Sequence, residues 1–205
     1  MSRVLITGGA SGLGLALATA MLARGDEVLV GDLAEERPDS VPEGAAYVRL
    51  NVRSQQDWDA ALADVRERWG GLDLLVNNAG VATGGRIDVE AFADWERVID
   101  INLLGVVRGC QTFVPLLKEQ GSGRIVNVAS LAGLVHGPAM SSALAPALVI
   151  SRTAVFSISS SFPCSEVCRL VRKKDGQTTL TAIPKGANSN RNVSDSATTP
   201  AFAAL

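Results

Sequence analysis

The residues best suited to chemistry form a glycine-rich run from Thr7 to Gly14. An apolar segment, 4–6, precedes this run, and Leu15 opens a segment with helical character. Glycines let a backbone turn tightly and approach a phosphate, and a helix N-terminus offers free N–H groups and the positive end of a dipole. A strand, a glycine-rich turn and a helix in this order therefore predict a pocket for the pyrophosphate of a dinucleotide.

Two further strand ends carry polar residues. Asp32 closes the second apolar run, 18 residues after Gly14. A carboxylate there can accept hydrogen bonds from the adenosine ribose hydroxyls and would repel a 2′-phosphate, which predicts NAD rather than NADP. The alternative is a turn or helix-cap aspartate before Leu33. Asn51-Val52 ends the third run, where the asparagine either faces the adenine edge or forms a simple turn.

The elements that must position these residues alternate along the chain. Alternating strands and helices predict an α/β fold in which both faces of a doubly wound parallel sheet are covered. Trp58, Leu62, Val65 and Trp69 have the spacing of one buried helical face. The helix through 92–119 is long enough to begin with a short separate turn. The predicted strands are 4–7, 27–31, 45–50, 72–76 and 123–129, and the predicted helices are 12–24, 55–69 and 92–119.

Composition excludes several classes of function. The 205 residues carry a formal net charge of −2, with no basic surplus for nucleic acid. The longest apolar runs are too short for a membrane span, and the first residues enter a strand directly without a secretory signal. We therefore expect a cytoplasmic protein with reduced cysteines. Cys164, Cys168 and His136 lack a fourth ligand, so we predict no metal site.

Four motifs occur in order along the first two-thirds of the chain. They are Thr7-Gly-x-x-x-Gly12-x-Gly14, Asn77-Asn78-Ala79-Gly80, Asn102 within Ile101-Asn102-Leu103, and Ser130 at the end of Arg124–Ser130. Through them the chain resembles the short-chain dehydrogenase/reductase family over residues 1–142. The resemblance implies a Rossmann-like sheet, a nicotinamide cofactor, and hydride transfer between an alcohol and a ketone or aldehyde. It also implies a homo-oligomer.

The resemblance assigns catalytic roles to two of these residues. A hydroxyl at Ser130 can hydrogen-bond a substrate carbonyl and the charge that develops on its oxygen, unless the serine only caps the next segment. In the family, the residue at Asn102 holds a proton-relaying water and bends its helix locally; the alternative is a merely tolerated asparagine. Small residues after the fourth strand let a cofactor lie close, the alternative being an asparagine-rich turn. The candidate cofactor contacts are Gly8, Ser11, Gly12, Leu13, Gly14, Asp32, Leu33, Asn51, Val52, Asn78, Ala79 and Gly80.

The family pattern then stops. Members carry a tyrosine and, four residues later, a lysine on the helix after the serine, and the spacing from Ser130 points to positions that are Ala143 and Ala147 here. The only tyrosine of the chain is Tyr47, in the third predicted strand. Because this pair supplies the proton transfer and holds the nicotinamide ribose, the resemblance implies little or no activity as written. A non-catalytic dinucleotide-binding or regulatory protein is the rival function.

The composition changes at the same point. Residues 1–142 contain 12 Lys and Arg against 18 Asp and Glu, whereas the remainder contains 7 against 3. The change reflects either a true divergence or a foreign tail from a frameshift, altered splicing or a sequencing error, and its abruptness favours the latter. We predict a dinucleotide-binding domain over 1–142, an incomplete or altered continuation over 143–184, and a disordered tail over 185–205. Without the family helix after Ser130, oligomerisation should be impaired.

Overall fold

The fold was obtained as a computed structural model that describes residues 1–83, 85–86 and 88–130, and the backbone of 155–157. The predicted break at 142, Ala143, Ala147, the 143–184 segment and the 185–205 tail lie outside the described residues. The strands are β1 Arg3–Thr7, β2 Glu27–Asp32, β3 Ala46–Arg49, β4 Leu74–Asn77, β5 Arg124–Asn127 and β6 Val155–Ser157. The helices are α1 Gly12–Ala23, α2 Gln55–Trp69, α3 Phe92–Ile99 and α4 Gly105–Glu119, with a π-helical turn at Asp100–Leu104 between α3 and α4.

The strands form one sheet in the order β3-β2-β1-β4-β5-β6. The first five strands are parallel, which confirms the predicted doubly wound α/β architecture. The sixth, β6, runs antiparallel to β5. The strand order reverses between β1 and β4, and in open α/β sheets this switch point is where ligands bind, at the carboxyl ends of the strands.

The core lies between the sheet and the pair α2 and α4. Trp58 and Phe113 are fully buried, with ring centroids 6.2 Å apart at an interplanar angle of 72°. Val65 is also fully buried, and Leu62 and Trp69 pack against the cluster from its edge. The predicted buried face of α2 is therefore confirmed, and it fixes α2 beneath the strands whose ends form the candidate site.

Two kinds of functional element, a membrane-spanning helix and a cluster of metal-ligating side chains, are absent from the described residues. In this part of the chain, no helix is both long and apolar enough to cross a bilayer. The same residues contain no group of three or more His, Cys, Asp or Glu side chains placed to hold a metal ion.

Candidate functional site

The carboxyl ends of β1 and β4 are joined by Thr7 and Asn78. The buried Thr7 Oγ1 accepts hydrogen bonds from the backbone N–H groups of Asn78 and Ala79, both at 3.0 Å. In return, Asn78 Nδ2 donates to the carbonyl oxygens of Thr7 at 2.9 Å and Gly8 at 3.1 Å. These bonds hold the start of the glycine-rich turn against the end of β4, so the Asn78 side chain positions the backbone of the site.

Two glycines of the turn are required for different reasons. A Cβ on Gly14 would lie 2.2 Å from the Gly8 carbonyl oxygen and 2.5 Å from Asn78 Nδ2, so only glycine allows this close approach. Gly12 has a φ of +50°, and apart from its chain neighbours and its own helix backbone no atom lies within 4 Å of where its Cβ would stand. Gly14 therefore seats α1 on the turn, while Gly12 opens the turn outward at the helix N-terminus.

The N-terminus of α1 is left available to an anion. Ser11 is the N-cap residue in an extended conformation, but its side chain makes no capping hydrogen bond, and the first turn contains no acidic residue. Leu13, in that first turn, is 41% exposed. An uncapped helix N-terminus with no acidic residue in its first turn presents its N–H groups and the positive end of its dipole to a ligand. This arrangement fits a pyrophosphate.

Asp32 braces the glycine-rich turn from β2. Its Oδ2 accepts a hydrogen bond from the Ala10 N–H at 2.9 Å, and its Oδ1 accepts one from the Leu33 N–H at 2.8 Å. Ser40 donates from Oγ to the Ala10 carbonyl at 2.8 Å, so the loop after β2 also contacts the turn, which sequence reasoning missed. A carboxylate has about four lone-pair sites, so the turn contacts leave capacity for two ribose hydroxyls.

The Asn51-Val52 pair is built into a turn and the core. Asn51 Oδ1 accepts from the Arg53 N–H at 3.1 Å, which is the turn contact of the simpler interpretation. Val52 is buried, and its carbonyl oxygen accepts from Trp58 Nε1 at 3.1 Å. A contact of either residue with adenine stays a prediction.

Asn102 lies in the π-helical turn and faces the loop after β4. The turn is marked by a hydrogen bond from the Gly105 N–H to the Asp100 carbonyl. Asn102 Oδ1 accepts from the Val81 N–H at 2.9 Å, and its Nδ2 donates to the Val81 carbonyl at 2.8 Å. The amide thus acts as a backbone mimic that fixes the chain just beyond Gly80, and the π turn explains how a poor helix former is accommodated in a long helix.

Ser130 follows β5 and is exposed. Because β4 and β5 are parallel neighbours, Ser130 comes off the same edge of the sheet as Asn78-Ala79-Gly80. Beneath that edge, sequence reasoning missed a buried pair, in which Asn77 Nδ2 donates to Asn127 Oδ1 at 2.9 Å and joins the ends of β4 and β5. Cys110 on α4 contacts the same Asn77 amide, and its burial raises the pKa of the thiol.

Comparison with known proteins identifies the fold and the motifs together. A protein-family model described as short chain dehydrogenase matches residues 2–144. The chain belongs to the short-chain dehydrogenase family. This confirms the resemblance over residues 1–142, and the family match ends two residues beyond the predicted break.

Relatives of this short-chain dehydrogenase chain include enzymes of several substrate classes. It is 40% identical over 134 residues to the 3-alpha-(or 20-beta)-hydroxysteroid dehydrogenase of Mycobacterium tuberculosis, covering 63% of this chain and 52% of the relative. It is 38% identical over 153 residues to the 2-(R)-hydroxypropyl-CoM dehydrogenase of Xanthobacter autotrophicus, covering 69% and 61%. A short-chain dehydrogenase from Streptomyces avermitilis superposes with a TM-score of 0.69 at 30% identity, covering 74% of this chain and 57% of the other. The chain thus spans about half the length of the curated relatives it matches.

The sole tyrosine of this short-chain dehydrogenase chain stands far from Ser130. Tyr47 lies on the outer strand β3, four strand positions from β5, which corresponds to about 19 Å across the sheet. Its hydroxyl donates to the Ala34 carbonyl at 2.6 Å. Burial raises the pKa of the phenol, and the charges of Asp32 and Glu35 raise it further. Tyr47 is therefore part of the β2–β3 side and not of the Ser130 side.

Proposed function

We propose that residues 1–142 form the dinucleotide-binding part of an oxidoreductase that transfers hydride between an alcohol and a ketone or aldehyde, with NAD as the cofactor. The observation that supports this best is the uncapped, acid-free N-terminus of α1 beside the open side of Gly12. The N–H groups at Ser11, Gly12 and Leu13 would hold the pyrophosphate. When bound, the nicotinamide supplies the hydride acceptor or donor.

The remaining candidate residues divide the site into an adenosine side and a substrate side. Asp32 would accept hydrogen bonds from the ribose hydroxyls while it keeps its hydrogen bond from the Ala10 N–H. Asn78, Ala79 and Gly80, held by Thr7, would form the floor under the cofactor. On the substrate side, the Ser130 hydroxyl would donate a hydrogen bond to the carbonyl oxygen of the substrate. In this proposal Asn102 would fix the 80–81 backbone and hold a proton-relaying water.

We also propose that the proton-transfer step of the reaction is slow or absent in this chain. Positions 143 and 147 are both alanine, and Tyr47, the one tyrosine, is held on β3 by the Ala34 carbonyl. Loss of a general acid–base typically lowers the rate by about 10²–10⁴-fold. A non-catalytic dinucleotide-binding or regulatory protein is the second candidate. The alanines in place of the family tyrosine and lysine favour it.

Turnover separates the two candidates. The chain and a version whose residues from 143 onward are replaced by a family-like Tyr-x-x-x-Lys helix and closing strand would be assayed for NAD-linked oxidation of a panel of secondary alcohols. We expect activity only in the tail-replaced protein. The double variant Ala143→Tyr/Ala147→Lys should fail, because Pro146 opposes an undistorted helix and a misplacement of about 1 Å can cost 10²-fold. Activity of the unaltered chain equal to that of the tail-replaced protein would show another proton donor.

The ribose assignment has its own test. Asp32→Ala should weaken NADH binding by about 1–3 kcal/mol, because hydrogen bonds to a charged acceptor are lost. The measurement is a calorimetric titration of both proteins, with the free energy of unfolding as a control for the loss of the Ala10 contact. Unchanged NADH affinity in a folded variant would contradict the role of Asp32.

The remaining proposals concern the cellular location, the substrate class and self-association. We propose a cytoplasmic location and a small alcohol or carbonyl compound as substrate. Homo-oligomers are expected through α4 and the π-helical turn before it, where Val107 and Leu104 respectively are each 40% exposed. Association should be weak because the sequence after Ser130 contains Pro146 and lacks the family pattern, so light scattering that shows a stable tetramer would contradict this part.

A further inference from the structure

A positive side chain lies beside Asp32 in the sheet, although the adjacent residues 30–34 contain no Arg or Lys. Asp32 at the end of β2 and Arg49 at the end of β3 are register partners in the parallel sheet. Register partners in neighbouring strands lie about 4.8 Å apart, and their side chains leave the same face of the sheet. The Arg49 side chain therefore starts next to Asp32, whose carboxylate is the proposed partner of the adenosine ribose.

The guanidinium of Arg49 is held by two other carboxylates. Its Nε contacts Glu35 Oε1 at 2.8 Å, and its Nη1 donates to Asp57 Oδ2 at 2.8 Å. The Asp57 side chain is 11% exposed and is fixed by the Asn51 N–H and the Ser54 hydroxyl. Asp32, meanwhile, directs its oxygens to the backbone of Ala10 and Leu33.

The loop that carries Glu35 is itself fastened to β3. Tyr47, two residues before Arg49 and therefore on the same face of the strand, donates its hydroxyl to the Ala34 carbonyl at 2.6 Å. This bond brings Glu35 over the end of β3, where its carboxylate meets Arg49. Glu35 is 81% exposed, so its hold on Arg49 depends on the loop geometry and weakens as salt is added.

We propose that Glu35 is a specificity-determining residue that disfavours the 2′-phosphate of NADP by engaging Arg49. Arg49 is the one cationic residue on β2 and β3. An arginine near the ribose is what accommodates a 2′-phosphate in dinucleotide sites, and bidentate guanidinium–phosphate contacts are among the stronger hydrogen bonds. Asp32 would repel the 2′-phosphate directly. Glu35, by its ion pair with Arg49, would keep the guanidinium from neutralising that phosphate. This inference rests on the proposed NAD site.

The test compares two ligands that differ only in the 2′-phosphate, ADP-ribose and 2′-phospho-ADP-ribose, by calorimetry on the full chain at low ionic strength. Asp32→Asn removes the direct repulsion and serves as the background. Adding Glu35→Gln to it should tighten 2′-phospho-ADP-ribose binding by about tenfold, the scale of one charge-assisted hydrogen bond. ADP-ribose affinity should change by less than about threefold, because the pyrophosphate site is untouched.

Two further variants decide whether Arg49 is responsible. Adding Arg49→Gln to the double variant should abolish the tenfold gain, whereas Arg49→Lys, which keeps a charge for Asp57, should retain part of it. The matched control is Glu36→Gln in the Asp32→Asn background, because it makes the same charge change one residue along the same exposed loop. It should give less than about a threefold gain if only screened, long-range charge is altered.

The outcomes separate this inference from the proposed function. A gain that survives Arg49→Gln, or an equal gain from Glu36→Gln, would overturn the role of Glu35 and leave the NAD site standing. The role of Glu35 would likewise be overturned, with the NAD site intact, if ADP-ribose binds but Glu35→Gln does not tighten 2′-phospho-ADP-ribose binding. Failure of the unaltered chain to bind ADP-ribose at all would overturn the NAD site and the inference together.

Discussion

The hydroxyl of Thr7 is the junction on which the site geometry depends most. Its Oγ1 accepts from the N–H groups of Asn78 and Ala79, both at 3.0 Å, within a side chain that is 1% exposed. Thr7→Val keeps the shape and removes the hydroxyl, so the two N–H groups lose their acceptor and the longer, 3.4 Å hydrogen bond from Oγ1 to the Val76 carbonyl is lost as well. Thr7→Ser keeps the acceptor and removes one methyl group. The two variants therefore separate the hydrogen bonds from the packing.

The magnitudes differ enough to be measured. A buried donor left without an acceptor costs about 1–3 kcal/mol. Because the N–H groups of Asn78 and Ala79 are only partly buried, we take about 1–1.5 kcal/mol for each group and expect Thr7→Val to lower the free energy of unfolding by about 2–3 kcal/mol for the two together. Thr7→Ser removes one buried methyl group and should cost about 1 kcal/mol.

Urea unfolding monitored by tryptophan fluorescence measures both changes, since Trp58 is fully buried. The Val variant should also bind NADH more weakly than the Ser variant, because the start of the glycine-rich turn is no longer fixed to β4. Equal unfolding free energies for the two variants would refute the reasoning. So would equal stability of Thr7→Val and the unaltered chain.

Three other changes follow from single contacts. Gly14→Ala would place a Cβ 2.2 Å from a carbonyl oxygen of the glycine-rich turn, so a calorimetric titration should show NADH binding lost, and retained binding would contradict the close approach. Asn102→Ala removes both bonds to the Val81 backbone, so hydrogen exchange at the Val81 amide should accelerate; unchanged exchange would count against that role. The Arg3 guanidinium lowers the pKa of Asp73, so Arg3 stabilises the folded chain above the ordinary carboxyl pKa, and the contribution disappears as pH falls through the lowered value. Asp73→Asn should therefore be less stable than the unaltered chain at pH 7, with the gap in unfolding free energy narrowing as pH falls below the ordinary carboxyl pKa; a gap independent of pH would refute the pairing.

Much of the fold was predictable because the decisive signals are local. Helix α2 begins and ends as predicted, since Ser54 caps it through the Asp57 N–H and Gly70 ends it in the left-handed conformation. The glycine-rich turn and the apolar strands are marked in the same local way. The start of β4 was placed two residues early, at Leu72, whose backbone is bonded by the Gln120 side chain instead of a neighbouring strand.

The contacts that sequence reasoning missed are long-range. The Asn77–Asn127 pair depends on the register of β4 against β5, and the Arg49 contacts depend on the path of the loop after β2. Neither register nor loop path is encoded in the spacing of neighbouring residues. Asn102 was singled out by the family motif, which also implied a local bend of its helix, but its two bonds to the Val81 backbone, 21 residues away, depend on the path of the loop after β4.

The measurement that tests the central claim most directly is a calorimetric titration of the full chain with NADH and with NADPH. Asp32 and the open N-terminus of α1 predict that NADH binds and that it binds more tightly than NADPH. Absence of binding by either cofactor, or tighter binding of NADPH, would contradict the account.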